Sequence, residues 1–79
     1  MSRKSDLKKA IQESEEEIET LEKKRIRSQS ALLEAFLNHT EPSEADSEYF
    51  RVFTSLIELE RENLRRLSKE LSELEGNED

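Results

Sequence analysis

Residues 38–46, Asn-His-Thr-Glu-Pro-Ser-Glu-Ala-Asp, contain the only proline of the chain and separate two long stretches that contain none. Pro42 disfavours a helical conformation at Glu41, and Asn38 is a residue that helices tolerate at their C-terminal end. Ser43 has a side chain that can cap the first turn of a following helix. The stretch therefore predicts a short turn between two helices.

On each side of this turn, residues recur at alternating steps of three and four, the spacing that places side chains on one face of a helix. The first stripe consists of Leu7, Ile11, Ser14, Ile18, Leu21, Arg25, Ser28, Leu32 and Ala35. The second consists of Phe50, Phe53, Ile57, Glu60, Leu64, Leu67, Leu71 and Leu74.

Two such stripes joined by a short turn predict an all-α, coiled-coil-like antiparallel helical hairpin. We expect one domain over residues 1–79, with helix 1 over about 5–39 and the turn over about 40–43. Helix 2 is expected over about 44–75, followed by a frayed tail at 76–79.

The composition indicates that the hairpin does not complete its own core. The chain has 79 residues, of which 32% are hydrophobic and 42% are charged, as in long helical proteins. Disorder is the alternative for so polar a chain, but a disordered segment has no reason to keep regular stripes. Because two helices leave their outer faces wet, we expect a second chain to complete a bundle.

Charge and residue content argue against several classes of function. With 20 acidic and 13 basic side chains, the net charge of −7 disfavours nucleic acid and anionic membrane surfaces as partners. The chain has no cysteine for thiol chemistry, and its single histidine, His39, has no second metal ligand at a suitable spacing. The one glycine stands at position 76, so no phosphate-binding loop is expected. We therefore expect no enzyme activity, catalytic residue, cofactor, metal or small-molecule substrate.

No apolar run approaches the roughly 20 residues that span a bilayer. The basic N-terminal residues lead into a charged segment and do not form a secretory signal. A cytoplasmic location is the resulting expectation.

The stripes suggest a register in which each a position of one helix faces a d position of the other. On helix 1 the d positions are Leu7, Ser14, Leu21, Ser28 and Ala35, and the remaining stripe residues are a positions. On helix 2 the d positions are Phe53, Glu60, Leu67 and Leu74. Counted from the turn, it pairs Ala35 with Phe50 and Ser14 with Leu71, and it brings Arg25 opposite Glu60. Arg25 and Glu60 are the only charged residues in the stripes, so we predict that they form a register-setting core pair. The alternative is that both side chains extend to water at the edge of the seam.

A second set of apolar residues lies near the turn on both helices and is predicted to form one interface for a partner. It comprises Ile26, Leu33, Phe36, Leu37, Tyr49, Val52, Leu56 and Leu59. The alternative is that these residues fold under the loop or are singly exposed. Basic residues at mid-length, around Lys24 and Arg65, are interpreted as a solvated band that pairs with nearby glutamates, although an acidic partner or RNA could meet them.

These features predict a non-catalytic protein–protein interaction module. The leading hypothesis is a homodimer that forms a four-helix bundle through the turn-proximal apolar face. The alternative is a small adaptor or co-chaperone that binds a different protein. In length and architecture the chain resembles the short two-helix co-chaperones of type III secretion needle subunits, and that resemblance implies a protein partner of another kind.

Overall fold

The computed structural model describes residues 2–76, which form two helices, α1 (Arg3–Leu37) and α2 (Glu44–Gly76). The helices pack against each other along their length as an antiparallel hairpin, which confirms the predicted fold class. The molecule is a rod of 61 × 17 × 16 Å. The predicted tail at residues 77–79 lies outside the described residues.

Hydroxyl side chains cap the start of both helices. Ser2 Oγ accepts a hydrogen bond from the Ser5 backbone N–H at 3.1 Å, so α1 begins before the predicted start at residue 5. Ser43 Oγ accepts from the Asp46 N–H at 3.0 Å, which confirms Ser43 as the cap of α2. Each cap satisfies a backbone donor that the first helical turn leaves unpaired.

The end of α1 comes two residues earlier than predicted because the chain turns at His39. This residue has a φ of 54°, in the left-handed region. The His39 N–H donates to the Phe36 carbonyl at 3.1 Å, and the Thr40 N–H donates to the Ala35 carbonyl at 2.9 Å. These two bonds form a Schellman motif, in which glycine usually occupies the position that His39 holds here.

The buried core is a narrow seam. On α1 the buried residues recur every seven positions, at Leu7, Ser14, Leu21 and Ser28, which are the predicted d positions. On α2 only Ile57 is fully buried, and the other stripe residues are half-buried. Leucine and serine alternate along the buried line of α1, so every second core position is small and lets α2 approach closely.

The register of the hairpin differs from the predicted one. Ser14 Oγ donates to the Glu60 carboxylate at 2.8 Å and lies 3.5 Å from the Glu60 backbone carbonyl. A serine side chain is short, so these distances place Ser14 within about one helical turn of Glu60. The predicted register placed Ser14 opposite Leu71, so α2 is displaced from it by about 7–11 residues, or about 10–16 Å at the helical rise. The pairs of Arg3 with Glu70 and of Arg61 with Glu22 lie on either side of this alignment.

The turn-proximal end of α1 remains partly covered in this register. Ala31, Leu32 and Ala35 are half-buried, and Leu32 shares a groove with Phe50. Residues 38–43 connect the two helices.

Replacement of His39 by glycine should stabilise the hairpin. Glycine adopts the left-handed conformation without the steric cost that a side chain carries, so His39→Gly should raise the free energy of unfolding by about 0.5–1 kcal/mol. Urea denaturation followed by circular dichroism measures the change. His39→Ala is the matched control and should give no such gain, since alanine keeps the Cβ atom. Equal effects of the two substitutions would contradict the assigned backbone conformation.

A double-mutant cycle tests the register. Ser14→Ala and Glu60→Ala should show a coupling energy of about 1–2 kcal/mol, because the two side chains share a partly buried hydrogen bond to a carboxylate. Arg25→Ala with Glu60→Ala serves as the control cycle and should show a coupling near zero. A large coupling in the Arg25 cycle and none in the Ser14 cycle would restore the predicted register.

Candidate interaction surfaces

All eight residues predicted for a partner interface have exposed side chains, from 40% for Val52 to 76% for Phe36. In the described part of the chain, residues 2–76, they are the large hydrophobic residues that are exposed. We call the set on the first helix the α1 patch (Ile26, Leu33, Phe36 and Leu37). The set on the second helix is the α2 stripe (Tyr49, Val52, Leu56 and Leu59).

The α2 stripe borders the seam. Its members follow one another at steps of three, four and three, so they share one face of α2. The Tyr49 ring stacks on the ring of Phe53, a half-buried seam residue, with centroids 6.0 Å apart and an interplanar angle of 20°. This contact joins the stripe to the core and orients the aromatic end of the stripe.

A shallow groove runs between the α2 stripe and α1. It has a volume of about 280 Å³ and is lined by Tyr49 and Phe53 on α2, and by Lys24 and Arg27 across from them. Two cations therefore stand beside an exposed apolar stripe. The sequence alone shows these residues only as part of a basic band, because their position beside the stripe depends on the register.

The α1 patch lies near the turn-proximal end of α1. Leu33, Phe36 and Leu37 are each more than half exposed, because they lie outside the seam face of α1. A second shallow groove, of about 400 Å³, lies next to this patch, between Leu32 on α1 and Phe50 on α2. The patch and this groove form an apolar region separate from the α2 stripe.

The α1 patch and the α2 stripe lie on opposite sides of the hairpin. Ile26 follows Glu22 by four residues, so the α1 patch is on the side where Glu22 pairs with Arg61 at 3.2 Å. Continued at steps of four, three and four from Leu59, the α2 stripe reaches Glu70, which pairs with Arg3 on the other side of the seam. The expectation of one continuous face is therefore corrected to two separate surfaces. All eight residues are exposed, as the sequence predicts, but they lie on two sides of the hairpin and not on the single face that the sequence predicts.

The predicted pair of Arg25 and Glu60 is not brought together. The Glu60 carboxylate accepts from Ser14 Oγ and, at 3.3 Å, from the amide of Asn63. Arg25 is half-buried 11 residues, or about 16 Å, further along α1 than Ser14, and makes no ion pair among residues 2–76. Ser14, predicted as a stripe residue opposite Leu71, thus makes the polar core contact with Glu60 that was predicted for Arg25. The alternation of leucine and serine at the d positions was the available signal.

The basic band is only partly paired. Arg61 pairs with Glu22, Arg65 with Glu62 at 2.7 Å, and Lys23 with Glu19 at 3.4 Å. The side chains of Lys24 and Arg27 have no acidic partner in the part of the chain that the structure describes. Pairing with glutamates is therefore seen for three of the basic residues, and the two cations beside the α2 stripe remain available to a partner.

Within residues 2–76, neither helix is apolar enough over a sufficient length to cross a membrane. The same residues contain no group of three or more histidine, aspartate or glutamate side chains placed to hold a metal ion. Comparison of the chain with protein-family models, with curated proteins and with solved structures found no match.

The two phenylalanines nearest the surfaces should respond differently to truncation. Phe53→Ala removes a half-buried ring that packs in the seam and supports Tyr49, so it should lower the free energy of unfolding by about 2 kcal/mol or more. Phe36→Ala is the matched change at a 76% exposed site and should alter it by less than about 0.5 kcal/mol. Denaturation at a protein concentration low enough to suppress association measures both. A larger loss for Phe36→Ala would mean that the end of α1 is packed within the hairpin.

Proposed function

We propose that this hairpin is a non-catalytic, cytoplasmic protein–protein interaction module that associates with itself through its exposed apolar surfaces. The observation that carries the proposal is that more large hydrophobic side chains are exposed on the hairpin than are buried in its core. Among residues 2–76, eight large hydrophobic side chains are exposed, whereas Leu7, Leu21 and Ile57 are the hydrophobic residues that are fully buried. Contiguous exposed apolar surface of this kind commonly marks a site of protein association.

The thin core supports the same proposal. The hairpin buries one seam, in which Ser14 and Ser28 occupy two of the four buried α1 positions. Chains of this size have little margin of stability from their own core. A second chain that covers the α2 stripe or the α1 patch would remove further apolar surface from water, and so stabilise both copies.

The division of the apolar residues between two sides favours a second candidate function. A copy that self-associates through one surface still presents the other to a different protein. This supports the role of a small adaptor or co-chaperone subunit. The chain also resembles the secretion co-chaperones in its length and two-helix architecture. In that role the homodimer would carry two free apolar surfaces for a hetero-partner.

Sedimentation equilibrium over a range of protein concentrations tests the proposal. We expect the wild-type chain to pass from monomer to dimer as concentration rises. Leu56→Glu introduces a charge into the centre of the α2 stripe and should weaken dimerisation by at least about tenfold, because an unpaired charge must then be desolvated. Helicity by circular dichroism should persist, since Leu56 lies outside the seam.

Ser72→Glu is the matched control, because it adds the same charge to an exposed position of α2 far from the stripe. It should leave dimerisation unchanged. A monomer at every concentration would remove the self-association proposal. Dimerisation that survives Leu56→Glu and is lost in Leu33→Glu would move the interface to the α1 patch.

A further inference from the structure

We infer that the α2 stripe binds the α2 stripe of a second copy in the antiparallel direction, about a two-fold axis that crosses α2 near Thr54. This inference rests on the proposed self-association and adds its geometry. The two hairpins lie face to face, with α2 against α2 and α1 against α1.

The spacing of the α2 stripe suits a reversed partner. Its steps of three, four and three are the same when read from either end, so a reversed copy presents the same pattern. Tyr49 then lies opposite Leu59, and Val52 lies opposite Leu56. Each level of the interface pairs two large side chains that are now between 40% and 68% exposed. An isologous contact of this kind closes as a dimer.

The charges on the adjoining face of α1 fit the same reversal. Glu13, Glu17, Lys24 and Arg27 lie on one face, since successive members are separated by four, seven and three residues. Lys24 and Arg27 line the groove beside Tyr49, so this face is on the same side as the α2 stripe. None of the four side chains makes an ion pair or hydrogen bond within the described chain.

The observed register determines which charges would meet. Because Ser14 lies within a turn of Glu60, the axis near Thr54 passes α1 between about residues 20 and 24. Reversal about this point brings Glu17 of each copy within about one turn of Arg27 of the other. A parallel two-fold arrangement would instead lay the apolar α2 stripe over these four charges, which would leave them desolvated against apolar side chains.

The contact area is adequate for a stable dimer. By the helical rise, reversed copies overlap over about 30 Å of α2 and about 45 Å of α1, and the hairpin is 17 Å wide. The resulting footprint is about 640 Å² per copy, within the roughly 600–1,000 Å² per partner of standard specific interfaces. The α1 patch stays outside this contact, on the opposite side of each hairpin.

Spin-label distances between copies test the geometry. The chain has no cysteine, so a single introduced cysteine carries the only label, and every measured distance is between copies. Ser55→Cys lies near the axis and should give a distance below about 25 Å, whereas Ser72→Cys should give about 54 Å, twice 18 residues at the helical rise. Both serines are exposed, and the labelled proteins must retain wild-type dimerisation in sedimentation.

A dimer with the predicted short and long distances supports the inference. A dimer with similar short distances at both positions would show parallel pairing, and one with long distances at both would show an interface away from the α2 stripe. Either result overturns the inference and leaves the proposed self-association intact. A monomer at all concentrations would overturn both.

Discussion

The hydrogen bond from the buried hydroxyl of Ser14 to the carboxylate of Glu60 connects the register of the hairpin to its surface. A serine reaches only nearby residues, so this contact limits how far α2 lies along α1. The apolar side chains of the α1 patch stay exposed because they lie outside the seam face of α1. The register brings Lys24 and Arg27 beside the α2 stripe. The polar contact in the seam therefore bears on which charges accompany that stripe.

The seam stabilises the hairpin and also limits how much apolar surface the hairpin buries. Alternating leucine and serine on α1 allow close approach of the helices, which gives Ser14 access to Glu60 and keeps Ile57 completely buried. The small residues also reduce the apolar surface that the core removes from water. Most of the large hydrophobic side chains near the turn consequently remain outside. Stability and the proposed association would be linked in such a molecule, because a partner would supply burial that the hairpin lacks.

The sequence predicts the elements of this fold well and their relative position poorly. The stripes, the break around Pro42 and the cap at Ser43 depend on local spacing and local chemistry, which a sequence displays directly. The register depends on which of several heptad alignments packs best, and a seven-residue repeat satisfies more than one of them. The pairing of Arg25 with Glu60 assumed that opposite charges decide the alignment. In the structure, Glu60 accepts a hydrogen bond from Ser14 instead.

For the candidate surfaces too, the sequence predicts local properties well and the relative position of the parts poorly. All eight residues lie outside the two heptad stripes that form the seam. Their exposure follows from these positions, and the sequence predicts it correctly. Their separation onto two sides of the hairpin depends on the direction in which each set is rotated from the seam, and this becomes clear only when the cross-helix pairs mark the two sides. The position of Lys24 and Arg27 beside the α2 stripe could not be predicted from the sequence, because it depends on the register of the two helices.

Nuclear Overhauser contacts in the monomeric hairpin test the central claim most directly. With Ser14 isotopically labelled, the account predicts contacts from its side-chain protons to those of Glu60 and the adjacent turn of α2, and none to Leu71. Contacts from Ser14 to Leu71, accompanied by contacts from Arg25 to Glu60, would contradict the register and the placement of Lys24 and Arg27 beside the α2 stripe that depends on it.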